Sequence, residues 1–476
     1  QRSGYEITPV EIDGEVHKAE YVRPAGHVSG FGGGDVNQGD LGVPCLPPDG
    51  AVNHEGAPQL GADDHYGADG WVCPDGYAVD AVGGWYDAGD FGKYVVNGGY
   101  ALGTLLSLHQ LYPHAIGDSL DIPESANGIS DLLDECRWQI EWFLTMQDSD
   151  GGVFHKLTTL NFAGYQMPHA ATAQRYFIGK STTAALNFAA TLAQASRVYR
   201  AIDPTLADTC LAAAEAAFVW AEANPNATFR NPSGVSTGEY GDSDTSDEFV
   251  WAAAHLHIAG SEIPSLDQRM QNAVASPAFA SAASWPGTRN LGLYALALDP
   301  VGLSEQQTAA LRAALYAQAE QILAQAAANP LRIPMSASEF FWGSNGYIAS
   351  KGVLLAHAHK LSGDPRYLAG MAAIADYLLG RNATGYSFLT GFGAQPPVAI
   401  HHRASIADGI AAPVPGFLAG GPNAGRQDGL DYPHLEPARS YVDHIDSYAS
   451  NEIAVNWNAP FVLLLAALQQ NLDQLA

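Results

Sequence analysis

Apolar residues recur at helical spacing along most of the chain from about residue 95. The apolar positions of one such segment, 128–147, are Ile129, Leu132, Leu133, Cys136, Ile140 and Phe143. They fall at three- and four-residue steps, so they would share one face of an amphipathic helix. Polar residues such as Ser181 and Thr245 are typical helix starts. The pattern predicts helices at 95–112, 128–147, 181–202, 206–223, 245–259, 265–278, 288–298, 304–328, 344–361, 365–380 and 451–472.

Two long segments break this pattern. Residues 24–92 and 381–450 show little helical periodicity but contain many Asp, His, Arg and aromatic residues. Strand-like alternation is confined to about residues 1–25 and short loop pieces. Structureless loops of this length in a compact domain are usually disordered or functional, and their aromatic content favours function. We therefore predict an all-α toroid of paired helices with functional loops over one end.

Composition and charge restrict the choice of partners. The 476 residues are 47% hydrophobic and 15% charged, which is enough apolar material for a large core. Length alone suggests two or three domains, but a closed helical barrel can be this long, and we predict a single domain over residues 1–476. The formal net charge of −28 repels nucleic acids and anionic membranes and leaves a neutral polysaccharide unaffected.

Features of location and assembly are also expected from the sequence. No run of eighteen or more apolar residues occurs, so no membrane span is predicted. The sequence opens at Gln1 without a signal peptide, as in a mature or trimmed protein. We expect a secreted monomer without an organic cofactor.

Four cysteines are too few for a disulfide scaffold. Cys45 and Cys73 lie in a loop-rich segment, where a disulfide is the favoured interpretation and a zinc site shared with nearby histidines is the alternative. Cys136 and Cys210 fall within helical patterns, where small buried side chains are expected.

The first motif whose residues could take part in catalysis is GGWYDAGDFGKYV, at residues 83–95. Asp87 and Asp90 are three positions apart, so in a tight turn both carboxylates could approach one water molecule. An ordinary Asp-Gly turn with a helix cap is the simpler alternative. That alternative does not explain the aromatic residues and glycines on both sides.

Two further motifs lie towards the C-terminus. In YVDHIDSYASNEIAVNWNAP, Glu452 would begin a strongly apolar final helix. Burial there would raise the pKa of its carboxyl group and suit a general acid, although an acidic residue in a first helical turn is common for dipole reasons alone. In YSFLTGFGAQPPVAIHHRAS, His401 and Arg403 could donate hydrogen bonds to sugar hydroxyls, while His402 is better explained as a structural residue.

Together these motifs resemble glycoside hydrolase family 9, the inverting cellulases. The residues of the histidine signature that match are Ser387, Leu389, Thr390, Gly393, His401 and Arg403. The residues of the acid signature that match are Tyr441, Asp443, Tyr448, Glu452, Ala454, Asn458 and Ala459. The chain departs from the histidine signature at Gln395 and Ile400. The resemblance also includes the DAGD segment, so it covers nearly the whole chain, and the opening QRSG resembles the point where many bacterial members pass from an immunoglobulin-like domain into the catalytic barrel.

The resemblance implies an (α/α)6 barrel that hydrolyses β-1,4-glucans such as cellulose with inversion. It makes Glu452 the general acid and Asp90 the general base, with Asp87 helping to hold the attacking water. His401 and Arg403 would bind sugar hydroxyls. The residues expected to position the acid and the sugar at the cleavage point are Asp443 and Tyr448.

Aromatic side chains suit the apolar faces of pyranose rings. Trp342, in FFWGSNGY, is the best candidate for a stacking platform, with Tyr240 and His155 as weaker candidates. Because tryptophan is highly buried on average, a core position for Trp342 is an equal alternative.

The segment GDSDTSDE suggests a structural calcium site. Its hard oxygen ligands would be Ser243, Asp244, Asp247 and Glu248. Relatives have calcium in the corresponding loop, but a further carboxylate is not visible near Trp285. A solvated helix cap is the alternative.

Other functions account for the motifs less well. A carbohydrate-binding protein without activity would not need Asp87, Asp90 and Glu452 together. A polysaccharide lyase would need a basic cleft for uronic acids, which the net charge disfavours. Within the family, an endoglucanase is favoured, and an exo-acting cellobiohydrolase, glucosidase or glucosaminidase is the alternative.

Overall fold

The computed structural model describes residues 2–6, 10–12, 15–17, 23–30, 39–46, 77–232 and 234–474. This described part contains twelve α-helices. They are α1 (Val95–Leu111), α2 (Asp131–Thr145), α3 (Thr182–Tyr199), α4 (Pro204–Ala223), α5 (Ser246–Ile258), α6 (Leu266–Ala275), α7 (Arg289–Leu298), α8 (Glu305–Ala328), α9 (Ser344–Ser362), α10 (Pro365–Leu378), α11 (Arg403–Ala407) and α12 (Val455–Gln469).

The helices form an inner and an outer set. Helices α1, α3, α5, α7, α9 and α12 are buried on almost all sides, as expected of helices enclosed by others. Helices α2, α4, α6, α8 and α10 pack outside them, for example α4 on α3 and α10 on α9. In α8 the buried residues are only Leu311, Leu315, Ala319 and Ile322, which is a single apolar stripe. The two sets enclose the main hydrophobic core of the described residues.

Small residues let the inner helices approach closely. A Cβ atom on Gly292 of α7 would lie 2.8 Å from Cα of Trp251 in α5, and one on Gly346 of α9 would lie 2.8 Å from Cα of Trp457 in α12. Both distances are shorter than atoms tolerate, so glycine is required where these backbones meet.

No described helix is long and apolar enough to cross a membrane.

Short strands complete the described structure. They are β1 (Val10–Ile12), β2 (Glu15–His17), β3 (His27–Gly30), β4 (Gly39–Leu41), β5 (Val43–Pro44), β6 (Ala78–Val79), β7 (Lys93–Tyr94), β8 (Phe154–Thr159) and β9 (Arg175–Lys180). Strands β7, β8 and β9 form an antiparallel sheet in that order. The sequence pattern did not predict this sheet, because β8 and β9 are buried on both faces and therefore lack alternation.

The described loops meet at one end of the helices. The backbone amide of Arg403 donates to the carbonyl of Gly89 (3.0 Å), and that of Val455 donates to the carbonyl of Asp87 (2.8 Å). Segment 381–450 therefore lies against the turn that precedes α1. Residues 31–38 and 47–76 of the other predicted loop lie outside the described residues.

Candidate active site

A cavity of about 530 Å³ opens at this end of the helices. Its wall comes mainly from the segments just before five inner helices, α1, α5, α7, α9 and α12, and from the first turns of α9 and α12. One side chain from each segment illustrates this arrangement: Asp87, Tyr240, Trp285, Trp342 and Glu452. The cavity therefore collects residues that are distant in sequence.

The turn that carries the two aspartates is closed tightly. The backbone amide of Asp87 donates to the carbonyl of Gly92 (3.0 Å). A Cβ atom on Gly89 would lie 2.2 Å from the carbonyl oxygen of His401, so only glycine fits between the turn and the histidine loop. Helix α1 has its N-cap at Tyr94, so the aspartates are not its cap.

Asp87 is held on both carboxylate oxygens. Asn97 Nδ2 donates to Oδ1 and the Tyr240 hydroxyl donates to Oδ2, each at 2.5 Å. Burial and the neighbouring Asp90 raise the pKa of Asp87 to about 7, although these two hydrogen bonds act in the opposite direction.

Asp90 lies in the same cavity wall and is almost fully buried. Its Oδ2 accepts from the amide of Gly92 (3.1 Å) and from the hydroxyl of Tyr94 (3.3 Å). These two contacts fix the orientation of the carboxylate. Oδ1 lacks a hydrogen bond to any described residue, so it can accept a proton from a bound water.

Glu452 lines the cavity beside the turn and accepts a long hydrogen bond from the amide of Gly89 (3.3 Å). Burial, with a contribution from Asp90, raises the pKa of Glu452 well above its usual range. The prediction that Glu452 begins the last helix is wrong. It forms a β-bridge with His401, and α12 starts three residues later.

His401 and Arg403 lie next to Glu452 but are not part of the cavity wall. His401 Nδ1 lies 2.6 Å from the carbonyl oxygen of Ile445, which requires a proton on Nδ1. The Nε atom of Arg403 donates to the carbonyl of Ala163 (2.8 Å), and its guanidinium lies 5.3 Å from the centre of the Phe162 ring. His402 caps α11 from a buried position, as expected for a structural histidine.

Asp443 does not line the cavity. Its carboxylate accepts hydrogen bonds at 2.9 Å from the amides of Val398 and Ala399 and from Asn451 Nδ2. All of these partners hold the loops around Glu452, so Asp443 lies where it can position the acid rather than contact a sugar. Tyr448 was predicted, together with Asp443, to position the acid and the sugar. Its hydroxyl donates a hydrogen bond to the carbonyl of Gln427 (2.7 Å).

Aromatic rings cover much of the remaining wall. Trp342 is 40% exposed, which excludes the core alternative, and its ring centre lies 5.4 Å from that of Tyr448. The ring centre of Tyr240 lies 5.1 Å from that of Trp285. Sequence patterns did not single out several aromatic residues of the wall, because nothing in their local context separates them from core residues: Tyr94, Phe162, Trp285, Phe341, Tyr347 and Trp457.

His155 is not a sugar contact, contrary to the prediction. Its side chain is fully buried and its ring stacks on Phe229 at 3.9 Å. Both ring nitrogens are engaged, Nδ1 with Ser181 and Nε2 with the carbonyl of Glu239. Burial lowers the pKa of His155 to about 3, so the ring is neutral at ordinary pH.

The predicted calcium ligands are not assembled as a set. Ser243 and Asp244 are exposed, and Asp244 Oδ1 accepts from the amide of Ser246 (3.1 Å). Asp247 Oδ2 accepts from Thr288, while the buried Glu248 accepts no hydrogen bond from the described residues. In the described part of the chain, no three His, Cys, Asp or Glu side chains are grouped to hold a metal.

The cysteines follow the favoured interpretation where they are described. Cys45 is disulfide-bonded, which removes the thiolate that the zinc alternative needs. Cys136 and Cys210 are buried free thiols. Cys73 lies outside the described residues.

Three curated relatives show the extent of similarity. A xyloglucan-specific endo-β-1,4-glucanase of Bacteroides ovatus is 42% identical over 85% of this chain and 70% of its own length. A cellulose 1,4-β-cellobiosidase of Acetivibrio thermocellus is 34% identical over 99% of this chain and 55% of its own length. Endoglucanase C of Cellulomonas fimi is 36% identical over 94% of this chain and 41% of its own length. The chain thus spans 55% of the length of the cellobiosidase and 41% of the length of Endoglucanase C.

Solved structures agree with the described architecture and confirm the predicted (α/α)6 barrel. A family 9 glycoside hydrolase of Bacteroides ovatus superposes with a TM-score of 0.82 at 36% identity, covering 98% of this chain and 80% of its own. A thermostable endoglucanase of Alicyclobacillus acidocaldarius gives 0.83 at 28% identity, covering 98% and 81%. The sequence model of the family described as "Glycosyl hydrolase family 9" matches residues 44–465. This chain therefore belongs to glycosyl hydrolase family 9.

Proposed function

We propose that this chain hydrolyses β-1,4-glucosidic bonds within cellulose and related β-glucans, with inversion at the anomeric carbon. The observation that carries the proposal is the presence of Asp87, Asp90 and Glu452 in the wall of one cavity. Inverting hydrolysis needs a carboxylate that activates water on one face of the sugar and a carboxylic acid on the leaving oxygen at the other.

Asp90 is the proposed base. Its carboxylate takes a proton from a water molecule while the water oxygen attacks the anomeric carbon. Asp87, fixed by Asn97 and Tyr240, helps to orient that water. The bond between the anomeric carbon and the leaving oxygen breaks as the new bond forms.

Glu452 is the proposed acid. Its raised pKa favours the protonated carboxyl group, which can give its proton to the leaving oxygen. The cycle closes when the proton taken by Asp90 returns through solvent to Glu452.

The aromatic wall supports a polysaccharide as the substrate. Partly exposed rings such as Trp342 and Phe341 offer apolar faces to pyranose rings. An endo mode is supported by the names of the relatives, since two of the three above are endoglucanases. Xyloglucan is a natural substrate to test because one of them is described as specific for it.

Two measurements test this function. Proton NMR of the first product released from a β-linked cello-oligosaccharide should show the α-anomer, and early appearance of the β-anomer would exclude inversion. On carboxymethylcellulose and xyloglucan, viscosity should fall well before reducing ends accumulate. A parallel change in the two quantities would indicate exo attack instead.

We also propose that the protein acts outside the cytoplasm. The disulfide at Cys45 supports this location, because disulfides persist in oxidising compartments. Insoluble glucans are likewise found outside cells. Periplasmic and secreted fractions probed with an antibody should contain the protein, and confinement to the cytoplasm would refute the proposal.

A structural calcium ion beside Glu248 is proposed as well. Both carboxylate oxygens of Glu248 are buried without a hydrogen-bond donor from the described residues, and Asp247 lies next to it. Burial and the neighbouring Asp247 raise the pKa of Glu248 to about 10, so its carboxyl group is neutral without an ion. A calcium ion would favour the ionised carboxylate and would take no part in bond cleavage. Chelation should lower the melting temperature, because a ligand of the folded state stabilises it. Glu248→Gln should abolish the response to calcium, and a chelator-insensitive wild type would refute the site.

A further inference from the structure

Lys156 lies in the middle strand β8 with a fully buried side chain. Its ammonium group donates hydrogen bonds to Asn231 Oδ1 (2.6 Å), to Thr237 Oγ1 (3.0 Å) and to the carbonyl of Gly238 (2.9 Å). With the carbonyl of Thr237 (3.4 Å), four oxygen acceptors surround the ammonium. They are enough to engage all three N–H groups of a charged lysine, whereas a neutral amine has only two. The surroundings are therefore built for the cation.

No carboxylate of the described residues lies within ion-pair distance of this cation. The other buried lysines differ in this respect, since Lys93, Lys180 and Lys351 each contact an aspartate or glutamate. Burying a charge without a charged partner costs free energy. The groups around Lys156 must therefore compensate for its buried charge.

The neighbours of Lys156 lead directly to the proposed base. In the sheet Lys156 is opposite Tyr94, and its ammonium lies 5.8 Å from the centre of the Tyr94 ring. The Tyr94 hydroxyl donates to Asp90 Oδ2 and accepts from the amide of Gly238 (3.0 Å). The carbonyl of Gly238 is one of the acceptors of Lys156. One residue, Gly238, thus joins the buried cation to the tyrosine that orients Asp90.

We propose that Lys156 is a positioning residue for the hydrolysis, holding residues 237–240 against Tyr94 and keeping Asp90 ionised through its positive charge. This inference rests on the proposed function of Asp90. It assigns to a buried lysine outside the cavity wall a role in the base's protonation, and it explains why this lysine has no ion pair of its own.

The charges around Asp90 make such a cation useful. The negative charge of Asp90 contributes to raising the pKa of both Asp87 and Glu452, and all three carboxyl groups line the same cavity. Several ionisable and cationic groups surround this cluster. They are Lys156 on β8, Arg175 on β9, Tyr94 on β7, Glu239 and Tyr240 before α5, His401 before α11, Arg403 on α11 and the neutral buried His27 on β3.

The charge state of Lys156 fits this role over the acid range. Burial lowers the pKa of Lys156 to about 7, while Asp90 and Glu239 act in the opposite direction. The lysine is therefore charged below about pH 7, which is the range where Asp90 must remain deprotonated to act as a base. Removing the charge should make Asp90 easier to protonate.

The test compares Lys156→Met with the wild type by kcat/KM on a soluble cello-oligosaccharide between pH 3.5 and 9. The acid limb of the profile should move upwards by about one pH unit. Lys156→Arg, which keeps the charge, should leave the limb near its wild-type position. Lys180→Met is the matched control, because Lys180 is a buried lysine of the same sheet that pairs with Asp148 and Asp150 away from the cavity. A purely structural role would lower kcat/KM equally at every pH.

Asn231→Asp is a second variant that tests the same proposal if Lys156→Met does not fold. It places a carboxylate beside the ammonium and should move the acid limb in the same direction by a smaller amount. An activity-independent readout is the titration of ¹³Cγ-labelled aspartate, with the Asp90 signal assigned by its loss in Asp90→Asn. An unchanged Asp90 midpoint in the folded variants would overturn the inference. If the wild type hydrolyses no glucan, the proposed function fails, and this titration still decides the role of Lys156.

Discussion

At the scale of single residues, three carboxyl groups of similar chemistry have different surroundings. Asp87 accepts a hydrogen bond on each oxygen, and Asp90 accepts two on one oxygen. Glu452 has one long contact, to the amide of Gly89. Because hydrogen bonds to a carboxylate favour its ionised form, the poorly bonded Glu452 is the group best suited to retain a proton.

Substitution of the two proposed catalytic groups should separate their roles. Asp90→Ala should lower turnover about 10³-fold or more on every substrate, because no other group can activate the water. Glu452→Gln should lower turnover on cellulose to a similar extent, but much less on a dinitrophenyl cellobioside, whose leaving group needs little protonation. Steady-state kinetics on both substrates measures this contrast. Equal losses of Glu452→Gln on the two substrates would contradict the assignment of the acid.

Residue types and their order predicted most of the site, but burial decided individual roles. Trp342 and His155 were both predicted from the sequence as sugar contacts, Trp342 as the better candidate and His155 as a weaker one. One lies exposed in the cavity wall, whereas the other is enclosed with both nitrogens engaged. Nothing local distinguishes these outcomes, since both depend on which distant segments cover the ring.

At the scale of elements, the apolar pattern predicted the main helices to within a few residues at most ends. The predicted 344–361 corresponds to α9, and 304–328 to α8. The largest difference is at the last helix, predicted from 451 and observed from Val455, because residues around Glu452 pair with His401 and Ala419 instead. The periodicity of one segment cannot predict its pairing with a distant loop.

Close helix contact gives a prediction at this scale. Gly292→Ala should destabilise the protein by about 1–3 kcal/mol, because the added Cβ would lie 2.8 Å from the backbone of Trp251. Gly370→Ala is the control, since its Cβ would meet only leucine methyl groups that can rotate away. Urea unfolding of both variants measures the difference. A Gly292→Ala variant as stable as Gly370→Ala would show that α5 and α7 can separate without cost.

At the scale of the whole molecule, charge and helix direction act together at the cavity. The net charge is −28, yet the first turns of the inner helices α9 and α12 lie in the cavity wall with the carboxylates of the site. The positive end of each helix dipole favours a nearby negative charge. The fold thus partly offsets the negative field of the surface where Asp87 and Asp90 lie.

The overall charge predicts a salt effect that depends on the substrate. Activity on anionic carboxymethylcellulose should rise about threefold between 10 and 200 mM NaCl, because salt screens repulsion between the acidic protein and the polymer. Neutral hydroxyethylcellulose should show little change. The measurement is kcat/KM on both polymers at constant pH. Equal salt dependence on the two would show that long-range charge does not govern the encounter.

The sequence by itself determined the helical pattern, the order of the three motifs and the identity of the carboxyl groups, because periodicity and residue type are local properties. Only the tertiary structure decided which groups meet. Asp90 and Glu452 are 362 positions apart in the chain, and they share a cavity because the inner helices α1 and α12 pack side by side. It also decided the buried surroundings of Lys156, since its hydrogen-bond acceptors come from residues 231–238. Burial and proximity arise from packing between distant segments, and these set the protonation of the groups that the sequence supplies.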